Sequence, residues 1–117
     1  EDVIQTLKEK GIDYLDFTSE EITKFIDNFD KEVVTKNLDF MKETGFASDV
    51  YINHIDMMYD KELINKVQLL LSVGKEVLDI YLNPKVLVKY SMVELQEVID
   101  TIRNSGMDPK EVPLMAY

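Results

Sequence analysis

The sequence predicts an all-α fold of stacked short helical hairpins, an α-solenoid-like arrangement with a repeat of about 30 residues. Three observations lead to this prediction. All four glycines follow the same apolar spacing, apolar residues recur at the helical period, and no segment alternates long enough to indicate a sheet. We therefore expect one helical-repeat domain over residues 1–117, and its start at Glu1 rather than Met is compatible with a fragment of a longer chain.

The glycine spacing predicts four helix ends. Two apolar residues three positions apart lie on one face of a helix's last turns. A glycine four positions later ends the helix, because glycine adopts left-handed backbone at little steric cost. Successive glycines are 34, 29 and 32 residues apart. The four copies are Ile4, Leu7 and Gly11; Leu38, Met41 and Gly45; Val67, Leu70 and Gly74; and Ile99, Ile102 and Gly106.

Capping residues predict where the helices of the first half begin. Thr18 and Glu21 have the spacing of a capping box, which opens a helix that runs to about Asn28. Residues 29–34 recur 30 positions later as residues 59–64, and each copy begins with an aromatic residue and an aspartate. Asp30 and Asp60 are therefore predicted to be the N-caps of two helices.

The middle of the chain carries two further helix patterns. Ser48 and Asp49 are predicted to cap one helix, whose apolar side consists of Val50, Ile52, Ile55 and Met58. A second helix is predicted over residues 77–82. It stops before Pro84, because the residue that precedes a proline is disfavoured in the helical conformation.

The C-terminal third also shows helix-start patterns. Ser91 and Glu94 have the spacing of a second capping box and predict a helix that extends to Asn104. Asp108 followed by Pro109 places a capping residue before a proline at the first helical position. A last short helix towards residue 114 is therefore predicted.

Composition limits the compartment and the class of partner. The chain has no cysteine and no apolar run of the roughly 18 residues that a membrane span needs, so we expect a soluble, cytoplasmic protein without a membrane partner. The net charge is −10 and is uneven: residues 1–62 carry 16 acidic and 7 basic side chains, whereas residues 63–117 have a net charge of −1. A nucleic-acid partner is disfavoured by this balance, and a basic protein partner or simple solubility is favoured.

The sequence predicts no catalytic, cofactor-binding or metal-binding residue, and so no enzyme. His54 is the only histidine, and no Glu-x-x-His or paired-histidine pattern accompanies it. The acidic run at residues 27–32 lacks the glycine and the later glutamate of a calcium loop. There is also no glycine-rich phosphate loop. Most aromatic side chains are predicted to pack in the core.

The C-terminal part has a Pro-x-x-Leu start, leucine-type positions at helical spacing and a terminal glycine. These features lie in Asn83, Pro84, Lys85, Val86 and Leu87, in Leu95, Ile99, Ile102 and Gly106, and in residues 107–112. The stretch resembles the repeat of the mitochondrial transcription termination factor family, best over residues 83–112 and loosely elsewhere. The resemblance implies a solenoid of helix pairs, with a structural role for Pro84, and in many members nucleic-acid binding along a basic groove.

Three functions follow as hypotheses. The leading one is a noncatalytic protein-interaction or scaffolding module that binds through the acidic first half, by residues such as Asp13, Asp16, Glu20, Glu21 and Asp27. The alternative implied by the resemblance is a nucleic-acid-binding repeat that uses Lys85, Lys89 and Arg103, with Lys66 and Lys75 nearby. A third is an acidic mimic or inhibitor of nucleic acid. The oligomeric state stays open.

Overall fold

The computed structural model describes residues 2–117, with side chains from Val3 onward. The fold is all-α, and no strand occurs in this part of the chain. The chain divides into two compact units, the first ending at Lys61 and the second covering Glu62–Tyr117. We call them unit 1 and unit 2 and describe each by itself.

Unit 1 contains three α-helices, and its core is built around an aromatic cluster. The helices are α1 (Asp2–Glu9), α2 (Ser19–Asp27) and α3 (Lys31–Thr44), accompanied by short 3₁₀ helices at Tyr14–Asp16, Ser48–Tyr51 and Ile55–Tyr59. The fully buried ring of Phe25 lies 5.6 Å from the ring of Phe29 and 6.1 Å from that of Tyr59, measured between centroids. These contacts hold α2 against the rest of the unit.

Unit 2 contains four α-helices and one terminal 3₁₀ helix. They are α4 (Leu63–Ser72), α5 (Val77–Leu82), α6 (Lys85–Lys89), α7 (Met92–Asn104) and the 3₁₀ helix Leu114–Ala116. The helical apolar period places one face of each longer helix in the core. The fully buried members are Leu63, Val67, Leu70, Ile80, Leu87, Leu95 and Ile99.

The four glycines lie just after α1, α3, α4 and α7, where the spacing predicts helix ends. Their φ angles are 79°, 111°, 103° and 89°, the left-handed backbone that the sequence predicts. At each end the residue after the glycine donates its N–H to a carbonyl five positions earlier, as Phe46 does to Met41 at 2.9 Å and Lys75 to Leu70 at 3.0 Å. The acceptor is always the second apolar residue of the pattern, so the pattern describes a Schellman motif.

Most of the predicted capping residues are confirmed. The capping boxes of Thr18 with Glu21 and of Ser91 with Glu94 are both complete, and they open α2 and α7. The Asp30 carboxylate caps α3 by accepting from the N–H groups of residues 32 and 33. The prediction for Asp60 is wrong, because α4 begins at Leu63 and Asp60 instead ends the preceding 3₁₀ helix.

The single helix predicted after Ser48 is also wrong. Two short 3₁₀ helices, Ser48–Tyr51 and Ile55–Tyr59, occupy this stretch. Asn53 between them has a φ of 71°, the only positive value at a non-glycine residue in residues 2–117. Left-handed backbone at a non-glycine residue interrupts a right-handed helix, and asparagine is among the few residues that tolerate it.

The helix predicted after Asp108 does not form either. Residues 109–112 make a turn, and the Asp108 carboxylate accepts from the N–H of Lys110 at 3.0 Å. Pro113 disfavours helical backbone at Val112, which stops any extension towards Leu114. The only helix in this stretch is the 3₁₀ helix Leu114–Ala116.

None of the helices in the described residues combines the length and the apolar character that crossing a lipid bilayer requires.

Candidate protein-interaction surface

The predicted acidic residues lie along one short stretch of unit 1. Asp13, Asp16, Glu20 and Asp27 are exposed, whereas Glu21 is half-buried. Two of the five have local structural roles. The Asp13 carboxylate accepts from the N–H of Leu15 at 2.9 Å, and the Glu21 carboxylate accepts from the N–H of the helix cap at 2.8 Å.

These two hydrogen bonds shape the turn between α1 and α2. The 3₁₀ helix Tyr14–Asp16 ends where Phe17 donates its N–H to the carbonyl of Tyr14 at 3.2 Å. The capping box then starts α2 two residues later. Because both ends of the turn are hydrogen-bonded locally, the side chains between them project outward: Leu15 is 73% exposed and Tyr14 is 40% exposed.

Helix α2 extends the exposed apolar surface. A shallow depression of about 350 Å³ lies at the start of the helix, lined by Tyr14, Leu15, Phe17, Ser19, Ile22 and Thr23. One turn further along, Ile26 is 49% exposed, while its neighbour Phe25 is fully buried. The helix therefore buries one side and leaves a second apolar side open to solvent.

Exposed carboxylates lie on the same stretch of chain as this apolar surface, together with the exposed ammonium of Lys24. Glu20 and Asp27 are seven residues apart, so they lie on the same side of α2, separated by roughly 10 Å along the axis. Asp13 and Asp16 lie at either end of the 3₁₀ helix that carries Leu15. We call the whole region the acidic–apolar surface, and define it as Asp13, Tyr14, Leu15, Asp16, Glu20, Ile26 and Asp27.

The exposed apolar members were not predicted. Tyr14 was expected in the core with the other aromatic residues, and it is exposed instead. The sequence does contain a signal, because Tyr14 and Leu15 are enclosed between two aspartates and thus interrupt the helical apolar period. The sequence signal alone does not show that these two side chains are exposed; the structure of the turn does.

The basic residues of unit 2 divide into two groups. Lys85, Lys89 and Arg103 are exposed, and the Lys89 ammonium lies 5.1 Å from the centre of the Tyr90 ring. Lys66 and Lys75, which the sequence suggested as neighbours of these cations, do not add to an accessible basic strip. Only 4% of Lys66 and 7% of Lys75 are exposed to solvent.

Both buried lysines bind backbone carbonyls. The Lys66 ammonium donates to the carbonyl of Leu87 at 2.7 Å. The Lys75 ammonium donates to the carbonyls of Lys110 and Val112, and it lies 5.5 Å from the centre of the Tyr117 ring. Lysine is seldom buried without such partners, so these two contacts are structural.

The burial of Lys75 has a signal in the sequence, namely its position directly after a helix-ending glycine. After three of the four glycines the next residue is apolar, namely Ile12, Phe46 or Met107. After Gly74 the next residue is Lys75, in a position where a helix end commonly buries an apolar side chain.

Other chemistry is sparse in the described part of the chain. His54 is half-buried and precedes the 3₁₀ helix Ile55–Tyr59 without capping it. Among the side chains described from Val3 onward, no three histidine or carboxylate groups lie together so that they could hold a metal ion. Burial raises the pKa of the Tyr51 hydroxyl, and burial followed by the nearby Asp56 carboxylate raises that of Tyr59.

Comparisons with family models, curated proteins and solved structures return no match to this chain. The all-α architecture and the exposed surfaces are therefore the observations on which a function can be proposed.

Proposed function

We propose that the chain is a noncatalytic protein-interaction module, and that the acidic–apolar surface binds a basic protein. One observation carries the proposal. Three apolar side chains of that surface, Tyr14, Leu15 and Ile26, are exposed on a stretch whose exposed charges are four carboxylates and one ammonium, that of Lys24. Large exposed apolar side chains next to a predominantly acidic set of charges are typical of a surface that a partner covers.

The two kinds of side chain have separate roles in this proposal. Covering Leu15 and Tyr14 removes apolar surface from water, which provides affinity. The carboxylates of Asp16, Glu20 and Asp27 attract a positively charged partner and set its orientation, which raises the association rate and so lowers the Kd. Association should therefore slow as the salt concentration rises, because salt screens exposed charges.

Quantitative affinity capture from cell extract tests the proposal when three variants are compared with the wild type. The first variant is Asp16→Asn, Glu20→Gln and Asp27→Asn together, and the second is Leu15→Ser. The third is a control of equal charge change, Glu43→Gln, Glu97→Gln and Glu111→Gln, at exposed positions outside the surface. Thermal unfolding verifies that every variant is folded.

We expect one set of captured proteins to be lost from both surface variants and retained by the control. That set should be rich in lysine and arginine. Equal capture by all three variants and the wild type would show that the surface binds nothing.

The repeat interpretation is part of the proposal. We propose that the chain is built from repeated helical units similar to those of the mitochondrial transcription termination factor family, in one domain. The shared hydrogen-bond pattern at the ends of α1, α3, α4 and α7 supports a repeated unit. The corresponding nucleic-acid function has less support, because two of its five expected cations, Lys66 and Lys75, are buried.

A further inference from the structure

Unit 1 contains a small pocket whose lining shares no residue with the acidic–apolar surface. It lies between the end of α1, the last turns of α3 and the 3₁₀ helix Ser48–Tyr51, and its volume is about 230 Å³. Ile12, Leu38 and Phe46 provide apolar walls, and all three are otherwise buried. Drug-sized ligands occupy pockets of about 300 Å³ or more, so this one suits a single ring or a short chain.

A polar group without a partner borders the pocket. Tyr51 is only 3% exposed, yet its hydroxyl has no hydrogen-bond partner among residues 3–117. No buried side-chain oxygen or nitrogen in the same residues is left unpaired, so the hydroxyl must still touch open space. Tyr51 is one of the residues that line the pocket, and we take the open space at its hydroxyl to be this pocket. A ligand oxygen in that space can accept a hydrogen bond from the hydroxyl.

The charged side chains at the pocket favour a single negative charge. Lys10 and Lys42 are the charged residues in its lining. The Lys10 ammonium already forms an ion pair with the Asp39 carboxylate at 2.9 Å. Lys42 is exposed and makes no ion pair or side-chain hydrogen bond with the described residues. The local sum is therefore one uncompensated positive charge next to apolar walls.

We propose that this pocket binds a small monocarboxylate with an apolar body, such as an arylacetate or a short-chain fatty acid. The Lys42 ammonium pairs with the carboxylate, and the Tyr51 hydroxyl donates to one of its oxygens. The ring or chain lies against Ile12, Leu38 and Phe46. This site is separate from the acidic–apolar surface, so the two proposals can fail independently.

Two probes cover the ligand class, phenylacetate for a ring and hexanoate for a chain. Each is titrated into the isotope-labelled 117-residue protein while amide chemical shifts are recorded. The neutral amides, phenylacetamide and hexanamide, are matched controls. We expect at least one acid to shift the amides of residues 10–12 and 38–51 saturably, and its neutral amide to bind at least tenfold more weakly, because a charge-assisted hydrogen bond is lost.

Three variants locate the contacts. Lys42→Gln should raise the Kd of the acid about tenfold and Tyr51→Phe about threefold, in line with a charged and a neutral hydrogen bond. Lys36→Gln is the control, because it removes an equal charge from an exposed position of α3 that is outside the pocket lining. The proposal is overturned if neither acid saturates, if the neutral amides bind as well, or if Lys36→Gln weakens binding as much as Lys42→Gln.

Discussion

Unit 1 and unit 2 each hold an irregular segment in place through a long-range polar contact, but the donor is an amide on helix α3 in unit 1 and a lysine in the loop between α4 and α5 in unit 2. In unit 1 the buried Asn37 amide of α3 donates to the carbonyls of Met58 and Asp60, at 3.1 and 2.8 Å. In unit 2 the Lys75 ammonium donates to the carbonyls of Lys110 and Val112.

The two contacts differ in charge, because the donor buried in unit 1 is a neutral amide and the donor buried in unit 2 is a charged ammonium. An amide loses little when it leaves water for two carbonyls, whereas an ammonium has three donors, no acceptor and a full charge to compensate. Hydrogen bonds from a charged donor are also the stronger kind. We therefore expect unit 2 to depend more on its lysine than unit 1 depends on its asparagine.

Replacing Lys75 with methionine should have the largest effect. Lys75→Met keeps the apolar stem but leaves the carbonyls of Lys110 and Val112 without their donor, and the free energy of unfolding should fall by about 3 kcal/mol. Urea denaturation measures the loss, and Lys85→Met at an exposed position of the same unit is the control. A loss below about 0.5 kcal/mol would mean that burying the ammonium costs as much as its contacts return.

Asn37→Leu should destabilise the protein less, by about 2 kcal/mol, because two neutral hydrogen bonds from a buried amide are lost. The same urea titration measures it. Asn65→Leu, at an exposed position in α4, is the matched control and should be close to neutral. If Asn37→Leu cost more than Lys75→Met, the ranking of the two donors would be reversed.

The glycines that end α3 and α4 give a finer comparison. Alanine is strained at both because φ is 111° at Gly45 and 103° at Gly74, which should cost about 1 kcal/mol each. At Gly74 a new Cβ would also come within 2.8 Å of the Lys110 side chain, whereas at Gly45 nothing lies within 4 Å. Gly74→Ala should therefore be more destabilising than Gly45→Ala, by about 1 kcal/mol.

A double-mutant cycle identifies the cause of that difference. Adding Lys110→Ala to Gly74→Ala removes the Lys110 Cγ and Cδ atoms at 2.8 and 2.9 Å but keeps Cβ at 3.1 Å, so it should cancel most of the extra cost relative to Gly45→Ala. If the two changes proved additive, the extra cost would have to arise elsewhere.

The smallest expected effect is at alkaline pH, and one tyrosine of each unit is chosen to test it. Burial raises the pKa of Tyr51, and burial with a smaller contribution from the Asp108 carboxylate raises that of Tyr117, which Arg103 partly offsets. A raised pKa in the folded state means that the unfolded chain ionises first, so stability is full below about pH 10 and falls above it.

The pH dependence of unfolding tests this prediction. Tyr51→Phe and Tyr117→Phe should each reduce the slope of the free energy of unfolding above about pH 10, and leave its slope near neutral pH unchanged. The slope between pH 10 and 11 is measured by urea titration. An unchanged alkaline slope in both variants would contradict the burial of these hydroxyls.

The sequence predicted the three longest helices of the described chain well, and the reason is local. Helices α3 and α7 have their caps within a few residues of their first turn, and α3, α4 and α7 end at glycines with the same hydrogen-bond pattern. Two predicted helices do not form, because another feature of the chain outweighs the capping residues that predicted them. Asn53 interrupts the helix expected after Ser48, and Pro113 with the Lys75 contact replaces the helix expected after Asp108.

The candidate surfaces were predicted only in part. The acidic residues between positions 13 and 27 could be named from charge alone. The sequence did not predict which apolar side chains are exposed near them. Exposure of Ile26 depends on which side of α2 packs on Phe29 and Tyr59, and residue 59 is more than 30 positions away from Phe25. The pocket at Tyr51 likewise combines three separate segments.

Helical class, the glycine helix ends and the two capping boxes are therefore consequences of the amino-acid order, because each hydrogen bond involved closes within six residues. Which lysines are buried, which apolar side chains face solvent and where a pocket opens were decided by packing. Those contacts join residues 21 to 37 positions apart, and no local pattern encodes the partner that a side chain meets at that distance.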